Sequence, residues 1–269
     1  MPKPFLISKP NPKAPPRKRP QDLLKLTATP IHPFDLAHNL DTSGLVPAGN
    51  LLTGHPNDAF VTAYYGVAPS ILRTLIHHWR ETIPPHPIHS YTFLDIGAGK
   101  GRAMLLASQF PFLRVEGVEL NPDLARIASA NISLWNNDAQ ANALSPLTLH
   151  HADATTHPLP LEPTLAFLFH PFELPILRRF LRHIESSQAA HPHPFDLVYV
   201  NAEHDSYLDH HPAFRRLWTG LVPMTPDDHL ADLAAIAEQK EYGSTGDELC
   251  AIYRFQGRAT GRAAGRKTK

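Results

Sequence analysis

Three glycines alternate in the stretch Asp95-Ile96-Gly97-Ala98-Gly99-Lys100-Gly101-Arg102. Glycines so spaced permit a tight turn and let a ligand approach bare backbone. If a helix follows, its first turn offers free N–H groups and the positive end of its dipole to an anion. Asp95 places a carboxylate just ahead of that turn. About 24 residues on, Gly117-Val118-Glu119-Leu120 supplies a second carboxylate, where an acid can accept both hydroxyls of a ribose, as the acid of dinucleotide folds does. A third carboxylate, Asp153, lies in His151-Ala152-Asp153-Ala154.

The flanking elements must bring these groups together. A short apolar run over 91–96 ends in the glycines and reads as a buried strand. Residues 100–109 suit a helix, 115–119 a second strand, and Asn121-Pro122 a helix start with its cap and first-turn proline. Leu124, Ile127, Ala128 and Ile132 continue that helix. Residues 147–150 and the apolar run 164–169 give two more strands, the latter continuous enough to be covered on both faces. Ile176, Leu177, Phe180, Leu181 and Ile184 form the next helical stripe, 195–200 the next strand, 207–218 a further helix and 249–255 a late strand near the sheet edge. Upstream, Ile71, Leu72, Leu75, Ile76 and Trp79 recur at helical spacing behind Pro69. The alternation specifies an α/β fold with a doubly wound, mostly parallel sheet and right-handed crossovers. Ligands in such sheets bind beyond the carboxyl ends of the strands, where the glycines fall.

A dinucleotide fingerprint fails here, because its third glycine position is Arg102. The pattern D-x-G-x-G-x-G instead resembles the first motif of class I S-adenosylmethionine-dependent methyltransferases, and 95–101 matches it at every position. The resemblance covers about residues 67–255 and implies a seven-stranded, class I methyltransferase-like fold with S-adenosylmethionine as cofactor. Asp95, Gly97, Gly99 and Gly101 would shape the methionine end of the pocket, with Arg102 beside them. Glu119 would hold the ribose, and Asp153 the adenine amino group. Gly-Lys-Gly-Arg followed by Gly-Val-Glu-Leu-Asn-Pro is similar to a group of bacterial methyltransferases. More loosely, it resembles the protein-lysine methyltransferases of mitochondrial carrier and ATP synthase subunits. Their upstream Tyr-x-Pro-[Ala/Ser/Thr] element corresponds to Tyr65-Gly66-Val67-Ala68-Pro69-Ser70, here longer by two residues.

In this family the methyl acceptor meets the loop after the fourth strand. Here that loop is His170-Pro171-Phe172-Glu173. It departs from the [Asp/Asn]-Pro-Pro-[Tyr/Phe] of enzymes that methylate base or glutamine amino groups, which disfavours those acceptors. His170 suits a general base with a pKa near the working pH, or a cap of the turn. Glu173 could orient a cationic acceptor or favour the following helix N-terminus. These two are the candidate catalytic residues. Tyr64 and Tyr65 read either as an aromatic lid or as packing against the first helix of the core. Asn201-Ala202-Glu203-His204-Asp205, with Asp209, His210 and His211, adds polar groups at the same sheet edge. Its spacing fits no standard ligand set, so no metal is expected. The expected activity is methyl transfer to an unidentified nitrogen or oxygen acceptor, with protein lysine or a small molecule ahead of RNA. The alternative is a non-catalytic cofactor-binding scaffold acting through its tails.

Charge is segregated beneath a formal net of zero. Residues 1–20 hold six basic groups and no acid, and 257–269 hold five more. The remainder has 14 basic against 25 acidic groups, a net of about −11. The expected organisation is a disordered basic, proline-rich tail over 1–30, a loop-rich extension or lid over 31–66, a methyltransferase domain over 67–256 and a second basic tail over 257–269. Either tail could contact nucleic acid or an acidic partner. Cys250 is the single cysteine, which excludes an intramolecular disulfide framework. No apolar run approaches the roughly 18 residues of a membrane span, and 1–4 lack a secretory leader. A soluble, cytoplasmic protein without membrane contacts is expected.

Overall fold

The structure is a computed structural model that describes residues 31–237 and 243–257. The expected tail 1–30, and all of the second tail beyond Gly257, lie outside the described residues. Among those described, seven strands form one sheet: β1 Thr92–Ile96, β2 Arg114–Glu119, β3 Leu147–His151, β4 Thr164–Phe169, β5 Phe195–Val200, β6 Phe214–Pro223 and β7 Asp247–Phe255. Their order is β3-β2-β1-β4-β5-β7-β6. The pairs among β1 to β5 are all parallel, while β7 runs antiparallel to both β5 and β6. The order reverses between β1 and β4, and that crevice is where the glycine turn emerges.

Seven α-helices accompany the sheet among the described residues: α1 Pro33–His38, α2 Pro69–Glu81, α3 Arg102–Ala107, α4 Pro122–Asn136, α5 Leu174–Ala190, α6 Asp205–Asp209 and α7 Pro226–Ile236. Alternation along each strand divides the core into two layers. Phe93, Val115, Leu165, Phe167 and Val198 face α2 and α3, and Leu94, Ile96, Leu168, Leu197 and Tyr199 face α5. Asn121 caps α4 as expected, its Oδ1 accepting from the N–H groups of Asp123 and Leu124.

The expected helix over 207–218 is corrected. Only the short α6 is helical there, and Phe214 begins β6, the edge strand. Arg215 and Arg216 face solvent while nine residue pairs join β6 to β7, with an irregularity between Arg216 and Trp218. A distant partner supplies the ladder, and that overrides the local period. The helix α7 was not anticipated either; it starts at Pro226, and Thr225 Oγ1 accepts from the Asp228 N–H. No helix among the described residues is long and apolar enough to cross a membrane.

One buried carboxylate ties the layers together. Asp196 on β5 is wholly buried and accepts from Trp79 Nε1 of α2 at 2.8 Å. It also receives both Arg254 Nε (2.8 Å) and Nη2 (2.9 Å) from β7. Asp196→Ala strands the indole N–H and the guanidinium together. Urea unfolding should therefore show a loss of about 3 kcal/mol, the cost of breaking a buried pair from one side.

Candidate functional site

The loops after β1, β2 and β3 and the extension 31–66 enclose a cleft of about 1010 Å³, its open mouth included. Asp95, Gly97, Gly99, Arg102, Glu119 and Asp153 all line it. The structure therefore brings six of the seven sequence-derived ligand-binding candidates to one cavity. Gly101 sits just behind them as the cap of α3, with φ of +90°.

The glycine turn is shaped by what lies on it. Gly97 and Gly99 both have positive φ, at +73° and +56°. A Cβ on Gly97 would fall 2.4 Å from Pro171 Cβ, and one on Gly99 would fall 2.3 Å from the Tyr64 ring. Both glycines are thus required by backbone conformation and by close packing. Within the turn itself most N–H groups are already engaged. The N–H groups of Gly97 and Ala98 donate to Val118 O, Gly101 to Ala98 O, and Gly99 to Glu119 Oε2 at 2.7 Å. The turn presents carboxylates to the cleft rather than a nest for an anion.

Those carboxylates are out of water. Glu119 is 7% exposed; its Oε1 accepts from Asn121 N–H at 2.7 Å, and burial pushes its pKa up. Asp95 is 3% exposed, and its Oδ2 has no hydrogen-bond partner among the described residues. Burial, then the charge of Glu119, pushes Asp95 up to about 8. Asp153 is held differently: its Oδ2 accepts from Asn57 Nδ2 and its Oδ1 from Thr155 N–H, each at 2.8 Å. Arg179 of α5 donates to Asn57 Oδ1. Asn57 is a site residue that sequence reasoning missed, because its partner lies 96 residues away.

The extension is strapped across the turn by two cations. Arg102 Nε donates to Thr42 Oγ1 (2.7 Å), Nη2 to Thr42 O (3.0 Å) and Nη1 to Gly66 O (3.1 Å). The buried Asp35 carboxylate stands 4.0 Å from Nη2 and accepts the Thr42 N–H and the Ser43 hydroxyl. Lys100 Nζ donates to Asp41 Oδ1 (2.7 Å) and Ser43 O (2.8 Å). Arg102 touches the cleft, yet all three of its guanidinium nitrogens donate to the strap. In this structure it holds the extension across the turn.

The far end of the extension meets the loop after β4. Thr62 Oγ1 donates to His170 O at 2.5 Å, Glu173 N–H to Phe60 O at 2.8 Å, and Val61 bridges Phe172. Of the lid and packing alternatives for the tyrosines, neither ring sits on α2 alone. Tyr64 clusters with Leu51 and Leu124 over Gly99, and Tyr65 meets Phe169 edge-on.

The two expected catalytic residues do not line the cleft. His170 takes a φ of +38° at the strand end and turns its ring inward. Its Nδ1 lies 2.8 Å from Tyr199 Oη, and burial lowers its pKa to about 3. A buried imidazole so far below neutral pH is not matched to base catalysis there, which corrects that expectation. Glu173 faces away as well, its Oε2 at 3.5 Å from His204 Nε2.

A reversed strand order with an antiparallel β7 between β5 and β6, a D-x-G-x-G-x-G turn after β1 and an acid closing β2 are now together. The chain has the class I methyltransferase-like fold. No protein-family profile matches the sequence, and no curated protein matches it. Solved structures with a similar fold include magnesium protoporphyrin IX methyltransferase from Synechocystis. It is 12% identical, covers 70% of this chain and 80% of that one, and gives a TM-score of 0.44. An rRNA methylase from Streptococcus thermophilus is 10% identical, covers 67% and 95%, and gives 0.40. YcgJ from Bacillus is 12% identical, covers 69% and 98%, and gives 0.40.

Two outcomes follow from this geometry. Arg102→Ala should make the 31–66 segment about tenfold more sensitive to limited proteolysis, since charge-assisted hydrogen bonds hold it down. Asp95 binds its proton more tightly folded than unfolded, from 3.8 up to about 8. Its stabilising contribution is therefore full in acid and lost as pH rises through that window. Asp95→Asn should melt progressively above the unaltered protein between pH about 4 and 8, while parallel melting curves would contradict the assignment. Glu119, also raised, acts with the same sign in both proteins.

Proposed function

We propose that the protein is a cytoplasmic S-adenosylmethionine-dependent methyltransferase acting on a nitrogen or oxygen acceptor, a protein lysine or a small molecule. The observation that carries this reading is the buried, unpartnered Oδ2 of Asp95 beside the glycine turn of this fold. A buried carboxylate oxygen left without a partner is costly and suits a ligand ammonium. Gly97 and Gly99 let Pro171 and Tyr64 close down on the turn, and Glu119 keeps lone pairs free for hydroxyls after accepting the Gly99 and Asn121 N–H groups. Asp153, oriented by Asn57, completes a set of residues that fit the cofactor. When bound, that cofactor supplies a methyl group already activated on a sulfonium sulfur.

The chain's own residues then have positioning work to do. The strap excludes water from the turn, and Pro171 and Phe169 wall the end nearest β4. Orientation of two reactants within such a cleft supplies a large part of a displacement's rate. The acidic body favours a cationic partner over a polyanion, which sets protein lysine or an amine ahead of RNA.

The test is incubation of the full chain with methyl-tritiated S-adenosylmethionine and cell extract, with protease and nuclease sorting the acid-precipitable label. Glu119→Ala should cut both label transfer and S-adenosylhomocysteine affinity by about tenfold or more. Label equal in both proteins, or unchanged affinity, would refute the ribose-holding role.

A further inference from the structure

Asn57 brings an amide from the extension into the wall of the cleft. It sits in the short 3-10 turn Pro56–Phe60, is 3% exposed, and lines the cavity. The two ends of its amide meet different partners. Arg179 of α5 donates to Oδ1, and Nδ2 donates to Asp153 Oδ2 at 2.8 Å. A guanidinium can only donate, so it fixes which way round the amide stands. Turned over, the amide would set its NH2 against a cation and its carbonyl against a carboxylate. Arg179 does not line the cleft, so its influence there passes through Asn57.

Asp153 is thereby held in one orientation. Asn57 takes a lone pair of Oδ2, and the Thr155 N–H takes one of Oδ1 at 2.8 Å. His55 Nε2 stands 3.9 Å from Oδ2, its ring oriented by Nδ1, which accepts the Asn57 N–H at 3.1 Å. A carboxylate has about four acceptor sites, so about two remain for a ligand in the cleft that Asp153 lines. The Ala152 N–H donates to Glu119 O at 2.9 Å, which sets this acceptor one strand over from the acid proposed to hold the ribose. Ala152, Ala154 and Ile176 add apolar wall to the same cavity. A flat ring with a donor at its edge suits such a place. An exocyclic amine gains a charge-assisted hydrogen bond there, whereas a ring carbonyl sets its oxygen against a carboxylate.

We propose that Asn57, fixed by Arg179, determines which base this cleft accepts: it aims Asp153 at an exocyclic amine, so that the extension selects a 6-amino purine over a 6-oxo purine. The proposal rests on the S-adenosylmethionine reading and adds that base selection is built partly from the strap. Asn57 and Arg179 are positioning residues, acting through Asp153.

The test needs no identified acceptor. S-inosylhomocysteine is S-adenosylhomocysteine with the 6-amino group of the base replaced by a carbonyl, and the two dissociation constants are compared by calorimetry. The unaltered chain should prefer S-adenosylhomocysteine by about thirtyfold, the worth of one charge-assisted hydrogen bond. In Asn57→Ala the carboxylate turns or pairs directly with Arg179, and the preference should fall to within about fivefold. Arg179→Met, a change outside the cleft, should lower the preference in the same direction, while Arg179→Lys, which keeps a donor, should retain most of it. If Asn57 and Arg179 only hold the strap down, both ligands weaken together and the ratio stays intact in the two variants, and that result overturns the proposal. So does the absence of any preference in the unaltered chain. If S-adenosylhomocysteine itself fails to bind the unaltered chain, the cofactor reading falls first and this inference with it.

Discussion

Arg102 is a charge taken almost completely out of water at the first turn of a helix, and the functional half of the molecule is arranged around it. An unpaired guanidinium there would cost several kcal/mol. The chain offsets that cost with Thr42, the carbonyl of Gly66 and the buried carboxylate of Asp35. All of these partners come from the segment ahead of the sheet. The guanidinium can stay buried only while 31–66 lies across the glycine turn, so strap and turn are one unit. Lys100, with Asp41 and Ser43, repeats the device two residues earlier.

Charges are thereby sorted within the cleft. The cations of the turn are consumed by the strap, and the carboxyl groups of Asp95 and Glu119 are left facing the cavity. A ligand with a positive end is favoured over one carrying phosphates, because the N–H groups of residues 97, 98, 99 and 101 are already engaged. The rest of the cavity is walled by aromatic and aliphatic side chains, among them Tyr64, Phe169 and Phe172.

Much of this was legible in the sequence, and the failures have physical causes. Strands β4 and β5 are buried on both faces, so their apolar runs announce them locally. β6 is an edge strand whose residues alternate exposure irregularly, and only its ladder with β7 makes it a strand. Asp95, Glu119 and Asp153 line one cleft because strand ends in this fold converge. The strap-holding contacts of Arg102 carry no local signal, since its partners lie 36 and 60 residues away. His170 was located at the right loop, but the sign of its φ sends the ring to Tyr199 instead of the cavity. Asn57 carries no local signal at all, since it acts across the chain on a residue far from it in sequence.

The central claim is that S-adenosylmethionine lies between the glycine turn and the strap. Ultraviolet crosslinking of methyl-tritiated S-adenosylmethionine to the full chain, followed by peptide mapping, addresses it most directly. The account predicts label in peptides from 51–66, where Tyr64 and Tyr65 line the cleft, and from 95–121, suppressed by excess S-adenosylhomocysteine. Label confined to other peptides, or insensitive to that competitor, would contradict it.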